Sequence, residues 1–264
     1  MATHTWIRRL FAKKPRTIRK APAPFRPAVL ALEDRIVLNG YTAATAADLI
    51  TDIGLSNQAG GKNTITLSAP TGSTYTLNAV NNSTDGPTGL PVIAAGNILT
   101  IVGGGDSIQR SLVTGTPAFR LFDVASGATL TLANVRLQNG LAYGSGVSAE
   151  GGAIYSQGAL TLNGVTVQNN TAQGSNGAQG ANGAQGVTGG TGGYGSDAFG
   201  GGVYVAAGTA TLTNDTLSGN SESGTSSRLR RLRAQKRAGQ SAPATRAKIS
   251  AATLVGIEAE PVKL

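Results

Sequence analysis

The chain has 264 residues, with 22 Lys and Arg against 13 Asp and Glu, a formal net charge of +9, 38 glycines and no cysteine. Without cysteine there are no disulfide staples and no thiolate metal or redox site, and no apolar run approaches the roughly 20 residues that cross a bilayer as a helix. The positive charge sits at the ends: residues 1–39 hold 9 Lys and Arg against 2 acids, residues 221–264 hold 9 against 3, and the body between holds 4 against 8, so the segments sum as +7, −4 and +6. A mildly acidic body offers no basic track for phosphates, and no specific nucleic-acid partner is expected.

Residues 1–40 form a basic leader whose longest apolar run is AVLAL at 28–32, shorter than an ordinary signal-peptide core. It contains His4, the only histidine, for which no catalytic role is expected. The first predicted element is a helix over 45–56, TAADLITDIGLS. Thr45 and Asp48 approximate a capping box, and Leu49, Ile50, Ile53 and Leu55 supply an apolar side. Such a helix would cover the first repeat, whose unpaired strand edges would otherwise recruit other chains.

From there the chain repeats itself. GATLTLANVRLQNG (127–140) places Leu130, Leu132, Val135 and Leu137 at the offsets of Leu160, Leu162, Val165 and Val167. The same offsets hold Ala210, Leu212, Asp215 and Leu217. GNILTI (96–101) and GSTYTL (72–77) carry the opening pattern Gly-x-x-apolar-Thr-apolar. Leu99 to Leu130 is 31 residues, Leu130 to Leu160 is 30, and Leu160 to Ala210 is 50. Within each unit apolar residues alternate with polar ones at strand spacing, with no 3.6-residue stripe. Short strands joined by Asn and Gly bends every 30 residues or so predict an all-β fold, a parallel β-solenoid of about five coils over 41–220. Asn139, Asn169, Asn170 and Asn220 close the units, and asparagine suits the left-handed backbone of sharp bends.

The 50-residue step holds an insertion, expected as a surface loop over 173–199. Residues 174–195 read GSNGAQGANGAQGVTGGTGGYG, with glycine at every third position and no proline, which argues against a collagen rod. Its end, GGYGSDAFG (192–200), fits one copy of the calcium-binding nonapeptide pattern, making Asp197 a metal candidate without a second carboxylate in the preceding triplets. No catalytic residue, cofactor or other metal ligand is assigned. The repeat region offers Asp106, Asp123, Glu150, Asp197 and Asp215, each alone in sequence and not gathered by the repeat register. Asp123 near Arg120 is expected as a simple ion pair.

The segments at 89–111 and 119–140 and the GGAIY and GGGVY units resemble the right-handed parallel β-helix repeats of large bacterial surface proteins, including polymorphic outer-membrane and autotransporter-type passengers. The opening at 6–40, with its LEDR core, is similar to the leader of many exported proteins of planctomycete-type bacteria. These resemblances imply a right-handed winding, an extracellular or cell-surface location, and a structural or adhesive role toward an unknown surface ligand or glycan. The alternative is a polysaccharide lyase or hydrolase acting on acidic glycans. Three or more carboxylates on one face would favour that alternative, and a bare Thr and Asn surface the structural or adhesive role. After Asn220 the composition changes to Arg, Ala and Ser without alternation. A disordered basic tail over 221–264 is expected, with self-association through an open last coil. A shifted reading frame of a GC-rich gene yields such a change, so a truncated member, with further repeats encoded in another frame, is expected.

Overall fold

The computed structural model describes residues 39–182 and 189–224. The leader before Asn39 and the tail beyond Gly224 lie outside the described residues. The chain runs from β1 (Asn39–Ala43) through α1 (Ala46–Ala59) into β2 (Gly61–Leu67), then β3 (Thr74–Leu77) and β4 (Asn97–Arg110). Next come β5 (Phe122–Val124), β6 (Thr129–Gln138), β7 (Leu141–Gly144) and β8 (Ala149–Glu150), followed by β9 (Ile154–Ser156), β10 (Ala159–Asn163), β11 (Thr166–Gln168), β12 (Thr171–Gly174) and β13 (Ala198–Phe199). β14 (Val203–Val205), β15 (Thr209–Thr213), β16 (Thr216–Ser218) and β17 (Ser221–Ser223) complete the series. The fold is mostly strand with a single helix among the described residues, and its strands pair in parallel.

The largest sheet runs β1-β2-β4-β6-β10-β15, with β3 also on β4 and β11 between β6 and β16. Two smaller sheets run β17-β12-β7 and β14-β9-β5, and β13 pairs with β8. Successive repeats visit these sheets in the same order. Each strand therefore lies beside its counterpart one repeat away, and the residue register is the sequence repeat: Leu99 faces Leu130, Leu130 faces Leu160 and Leu160 faces Ala210. A second row links Ile65, Ile101, Leu132, Leu162 and Leu212. A third links Tyr75, Ile108, Leu137, Val167 and Leu217. Neighbours along such rows are about 4.8 Å apart, and burying each large side chain contributes about 1.5 to 3 kcal/mol.

Polar rows run beside the apolar ones. Gln109 donates from Nε2 to Thr76 Oγ1, Gln138 to Gln109 Oε1 and Gln168 to Gln138 Oε1, at 3.2, 3.2 and 2.9 Å. Asn170 is fully buried: its Oδ1 accepts the Gly140 amide, while its Nδ2 donates to Leu137 O and Asn220 Oδ1. Asn134, Asn139, Asn169 and Asn214 take positive φ at the bends, as expected for asparagine there. Asp106 and Asp215 serve the same purpose with carboxylates. Asp106 accepts the amides of Ser73 and Gly104, and Asp215 those of Val165 and Thr213.

The helix forms where the sequence places it. Thr45 Oγ1 accepts the Asp48 amide and Asp48 Oδ2 accepts the Thr45 amide, closing the capping box. Leu49 and Ile53 are buried in the core, Ile50 is half-buried, and Leu55 points outward at 43 % exposed. At its far end Ser56 and Asn57 join a buried polar cluster: Asn97 Nδ2 donates to Ser56 Oγ and Asn57 Oδ1, and Asn63 Nδ2 donates to Asn97 Oδ1. α1 is the crossover between parallel β1 and β2, a connection that a tight turn cannot make.

Three sequence expectations shift. Residues 72–77 do not open a repeat: β3 pairs with Ser107 to Arg110 in the second half of β4, and β1 and β2 supply the opening strands instead. The large sheet thus stacks six opening strands rather than five. The sheets also reach past the boundary at 220, since Ser221–Ser223 pairs with β12.

The described parts of the glycine run, 174–182 and 189–195, form two arms that bond to each other. Ser196 donates to Ser175 O, Gly193 to Ala178 O and Gly190 to Ala181 O at 3.0, 2.9 and 2.9 Å, stepping by three residues in each arm. Gly177 and Gly180 face the opposite arm, where a methyl group would collide with the carbonyl oxygens of Gly193 and Gly190. The triplet period is therefore the period at which two extended arms touch. Its bounds are narrower than 173–199, because Gln173 and Gly174 pair with Tyr143 and Gly144, and Ala198 packs with Ala142, Ala149 and Ala172.

Two measurements check this organisation. Leu162→Asp places a charge in a fully buried row and is expected to cost several kcal/mol and abolish cooperative unfolding; a stable variant would mean the register is wrong. Replacing 175–197 by a short Gly-Ser turn is expected to leave the thermal midpoint nearly unchanged, because loop length costs only about 0.6 kcal/mol per doubling. Extending the excision through Ala198 should lower the midpoint.

Candidate functional site

The acidic residues singled out by sequence have separate fates. Asp106 and Asp215 bind backbone amides at bends, as described. Asp197 stands at the entrance to β13, half-buried, and its carbonyl accepts the Ala149 amide at 2.9 Å. Among the described residues no group of three or more His, Cys, Asp or Glu side chains is arranged to hold a metal ion. His4 lies outside the described residues.

Asp123 and Glu150 both act on Arg120, together with a third carboxylate absent from the sequence shortlist. Asp123, Tyr155 and Tyr204 hold one register position in β5, β9 and β14. Arg120, just before β5, lies with its guanidinium carbon 4.8 Å from the Tyr155 ring centre. The Tyr155 and Tyr204 rings stack at 6.0 Å and 24°, and Tyr204 stacks on Phe199 at 6.0 Å and 26°. Guanidinium and three rings form one column, in which each aromatic pair contributes about 0.5 to 1.5 kcal/mol beyond its area. Glu150, paired with Phe199 across β8 and β13, hydrogen-bonds the Tyr204 hydroxyl, and Gln157 Nε2 donates to the Tyr155 hydroxyl at 3.0 Å. Asp85 approaches from the loop between β3 and β4 and adds its charge to those acting on Asp123, Arg120 and Glu150.

The electrostatics follow from burial. Asp123 is fully buried and Arg120 only 5 % exposed. Loss of solvent, then repulsion from Asp85, pushes the Asp123 carboxyl up to about 6, against the attraction of Arg120 and the nearby Asp85 backbone amide. Burial also raises Glu150, with Arg120 and the Tyr204 hydroxyl opposing, and it lowers Arg120 against the pull of Asp123. The simple ion pair expected for Asp123 and Arg120 is not what forms. Neither Asp123 oxygen closes a hydrogen bond of good geometry, with the Asp85 amide approaching but not aligned, and Nε and Nη1 of Arg120 have no partner. The two feel each other's charge without a direct bond, inside a cluster of three carboxyls around one guanidinium.

No family model, curated protein or solved structure matches the chain. The site is therefore read from its own geometry, and it offers a carboxyl able to hold a proton under mildly acidic conditions, beside a second carboxyl and an aromatic column. Sequence reasoning missed Asp85, which has no counterpart in the repeats. It also missed the column, although Tyr155 and Tyr204 occupy the same place in the GGAIY and GGGVY units, and their coincidence was the available signal.

A different surface is bare. The outward position of five consecutive opening strands holds Thr64, Thr100, Thr131, Thr161 and Thr211 in direct register. Thr66, Thr129, Thr209 and Thr213 flank that row, and the charged side chains of these strands that reach solvent stand away from it, Lys62 near the start of β2, Arg110 at the end of β4 and Arg136 in the second half of β6.

If Arg120 holds down the titration of Asp123 as its charge requires, Arg120→Met will raise the Asp123 midpoint above about 6. The carboxyl carbon shift followed against pH reads this directly. A midpoint at or below that of the unaltered protein would show that the guanidinium is not felt.

Proposed function

We propose that the chain is a right-handed parallel β-helix, secreted or displayed at the cell surface, with a structural or adhesive role toward a surface ligand or glycan. The observation that carries this reading is the in-register threonine row, an uncharged face of methyl and hydroxyl groups at about 4.8 Å spacing. Such a face suits a repetitive polar polymer better than a single small substrate. The resemblance of the leader to planctomycete-type export leaders supports display outside the cell. No helix among the described residues is long and apolar enough to cross a membrane.

A second reading is favoured by the grouping of Asp85, Asp123 and Glu150 about Arg120, namely a β-helix acting on acidic polysaccharides, whose sugars would meet the aromatic column. Self-association is a further part of the proposal. β13 to β17 each pair on one side only among the described strands, and Ala210, Leu212 and Leu217 of the last repeat are only half-buried.

One experiment separates the readings. The full chain is incubated with insoluble neutral and acidic polysaccharides, and both retention and newly formed sugar ends are measured. Retention without product, reduced at least tenfold by Thr131→Lys with Thr161→Lys at unchanged thermal midpoint, is the expected result. Product formation abolished by Glu150→Gln would select the enzymatic reading, and absence of both retention and product would remove the glycan-adhesive one.

A further inference from the structure

The loop at 81–88 closes over charged groups whose hydrogen-bonding capacity is unused. Within it the Thr88 amide donates to Asn82 O and the Asn81 amide to Thr88 O, at 2.9 and 2.8 Å. Thr84 N donates to Asn82 Oδ1, and Asn82 Nδ2 to Leu90 O. It is a small self-bonded unit, seated on the body where Arg120 N donates to Pro87 O and Gly89 N to Arg120 O, at 3.1 and 2.8 Å. At Gly86, with φ +114°, an added Cβ would stand 2.8 Å from Arg120 Nη2, so bare backbone meets the guanidinium. Beneath lies Asp123, fully buried, with neither oxygen in a well-formed hydrogen bond although the Asp85 amide of the loop approaches it, beside the unpartnered Nε and Nη1 of Arg120. Burying a charge without partners is strongly unfavourable, whereas a neutral carboxyl in the same place is tolerated far better.

We propose that the 81–88 loop is a pH-gated flap, closed over a protonated Asp123 and released when that carboxyl ionises. The groups acting on Asp123 are Asp85, from the flap itself through its charge and its backbone amide, and Arg120 from the segment before β5; Glu150 of β8 and Tyr155 of β9 act in turn on Arg120, with Tyr204 of β14 behind Glu150. One guanidinium thus faces three carboxyls, and the flap brings one of the three. Closing removes water from Asp123 and advances the Asp85 carboxylate toward it; these two causes outweigh the Asp85 backbone amide that arrives with them and the pull of Arg120, and hold the carboxyl at about 6. Opening reverses both and returns the carboxyl toward 3.8. A group raised in the closed state stabilises that state fully below its ordinary value. That stabilisation is lost as pH climbs through the ordinary value to about 6. The difference amounts to about a hundredfold in the balance between closed and open flap. Opening would present Arg120 and Asp123 beside Tyr155 and Glu150, so the chemistry this flank offers to solvent changes between mildly acidic and neutral surroundings. The inference rests on the geometry of the cluster and holds under either functional reading.

Hydrogen exchange of the full chain between pH 4 and 8, corrected for intrinsic rates, tests it. Protection of the Thr88, Gly89 and Arg120 amides is expected to fall up to about a hundredfold between pH 4 and 6 and then level off, while the amides of Leu130 and Leu160 do not follow. Asp123→Asn should keep the flap protected at pH 8 as at pH 4. Asp85→Asn, on the exposed side of the cluster, should shrink the amplitude, and it serves as the deciding variant if Asp123→Asn does not fold. Flap protection independent of pH, a fall shared equally by the sheet amides, or an undiminished amplitude in Asp85→Asn would each overturn the proposal.

Discussion

Parallel pairing in direct register makes each residue's nearest lateral neighbour its own counterpart one repeat away. Everything else in the fold answers to this. Apolar rows become continuous because Leu99, Leu130 and Leu160 meet, and amide rows become ladders because Gln138 and Gln168 each donate to the glutamine before. Ionisable side chains cannot be treated in the same way, since identical charges at about 4.8 Å repel. The body accordingly holds 4 basic and 8 acidic residues over 40–220. Asp106 and Asp215 share one position of the repeat and are separated by the neutral Val135 and Val165. Threonine, glutamine and asparagine take over the surface work that charged residues perform elsewhere.

This constraint also decides what the sequence discloses. The leucine rows, the Thr45 and Asp48 cap, the asparagine bends and the presence of an insertion were all legible, because each leaves a periodic or local mark. The misplacement of 72–77 has a physical cause. Both strand positions of a repeat alternate inward apolar and outward polar residues, so Tyr75 and Leu77 carry the same pattern as Leu99 and Ile101 while stacking on Ile108 and Arg110. The loop arms were hidden for a different reason: their triplet period is set by contact between two segments that run toward each other, a relation no single segment displays.

The Arg120 cluster was illegible because repetition does not create it. Asp85 comes from 78–96, the stretch between β3 and β4 that contains no named strand, and Glu150 from a two-residue strand beside the insertion. The regular strands supply a rigid frame, and the irregular connections bring in the groups that titrate, a division common where binding and chemistry are carried on loops. The aromatic column joins the two. Tyr155 and Tyr204 stack because they are counterparts, and Arg120 caps them because the loop above it has glycine at 86.

The insertion also bears on how the last repeat reaches its place. Leu160 and Ala210 are lateral neighbours separated by 50 residues, where other neighbouring repeats are separated by about 30. Contacts so distant along the chain raise the entropy that must be surrendered before they form, and folding slows as their share grows. The arms of the loop offset this. Once Ser175 meets Ser196, and Ala178 meets Gly193, Ala172 and Ala198 are already close, and the span to be closed shrinks to roughly that of an uninterrupted repeat. By the logarithmic law the saving is about half a kcal/mol. A 20-residue interruption of the array is thus kinetically mild, because its two halves find each other locally before the strands on either side must meet.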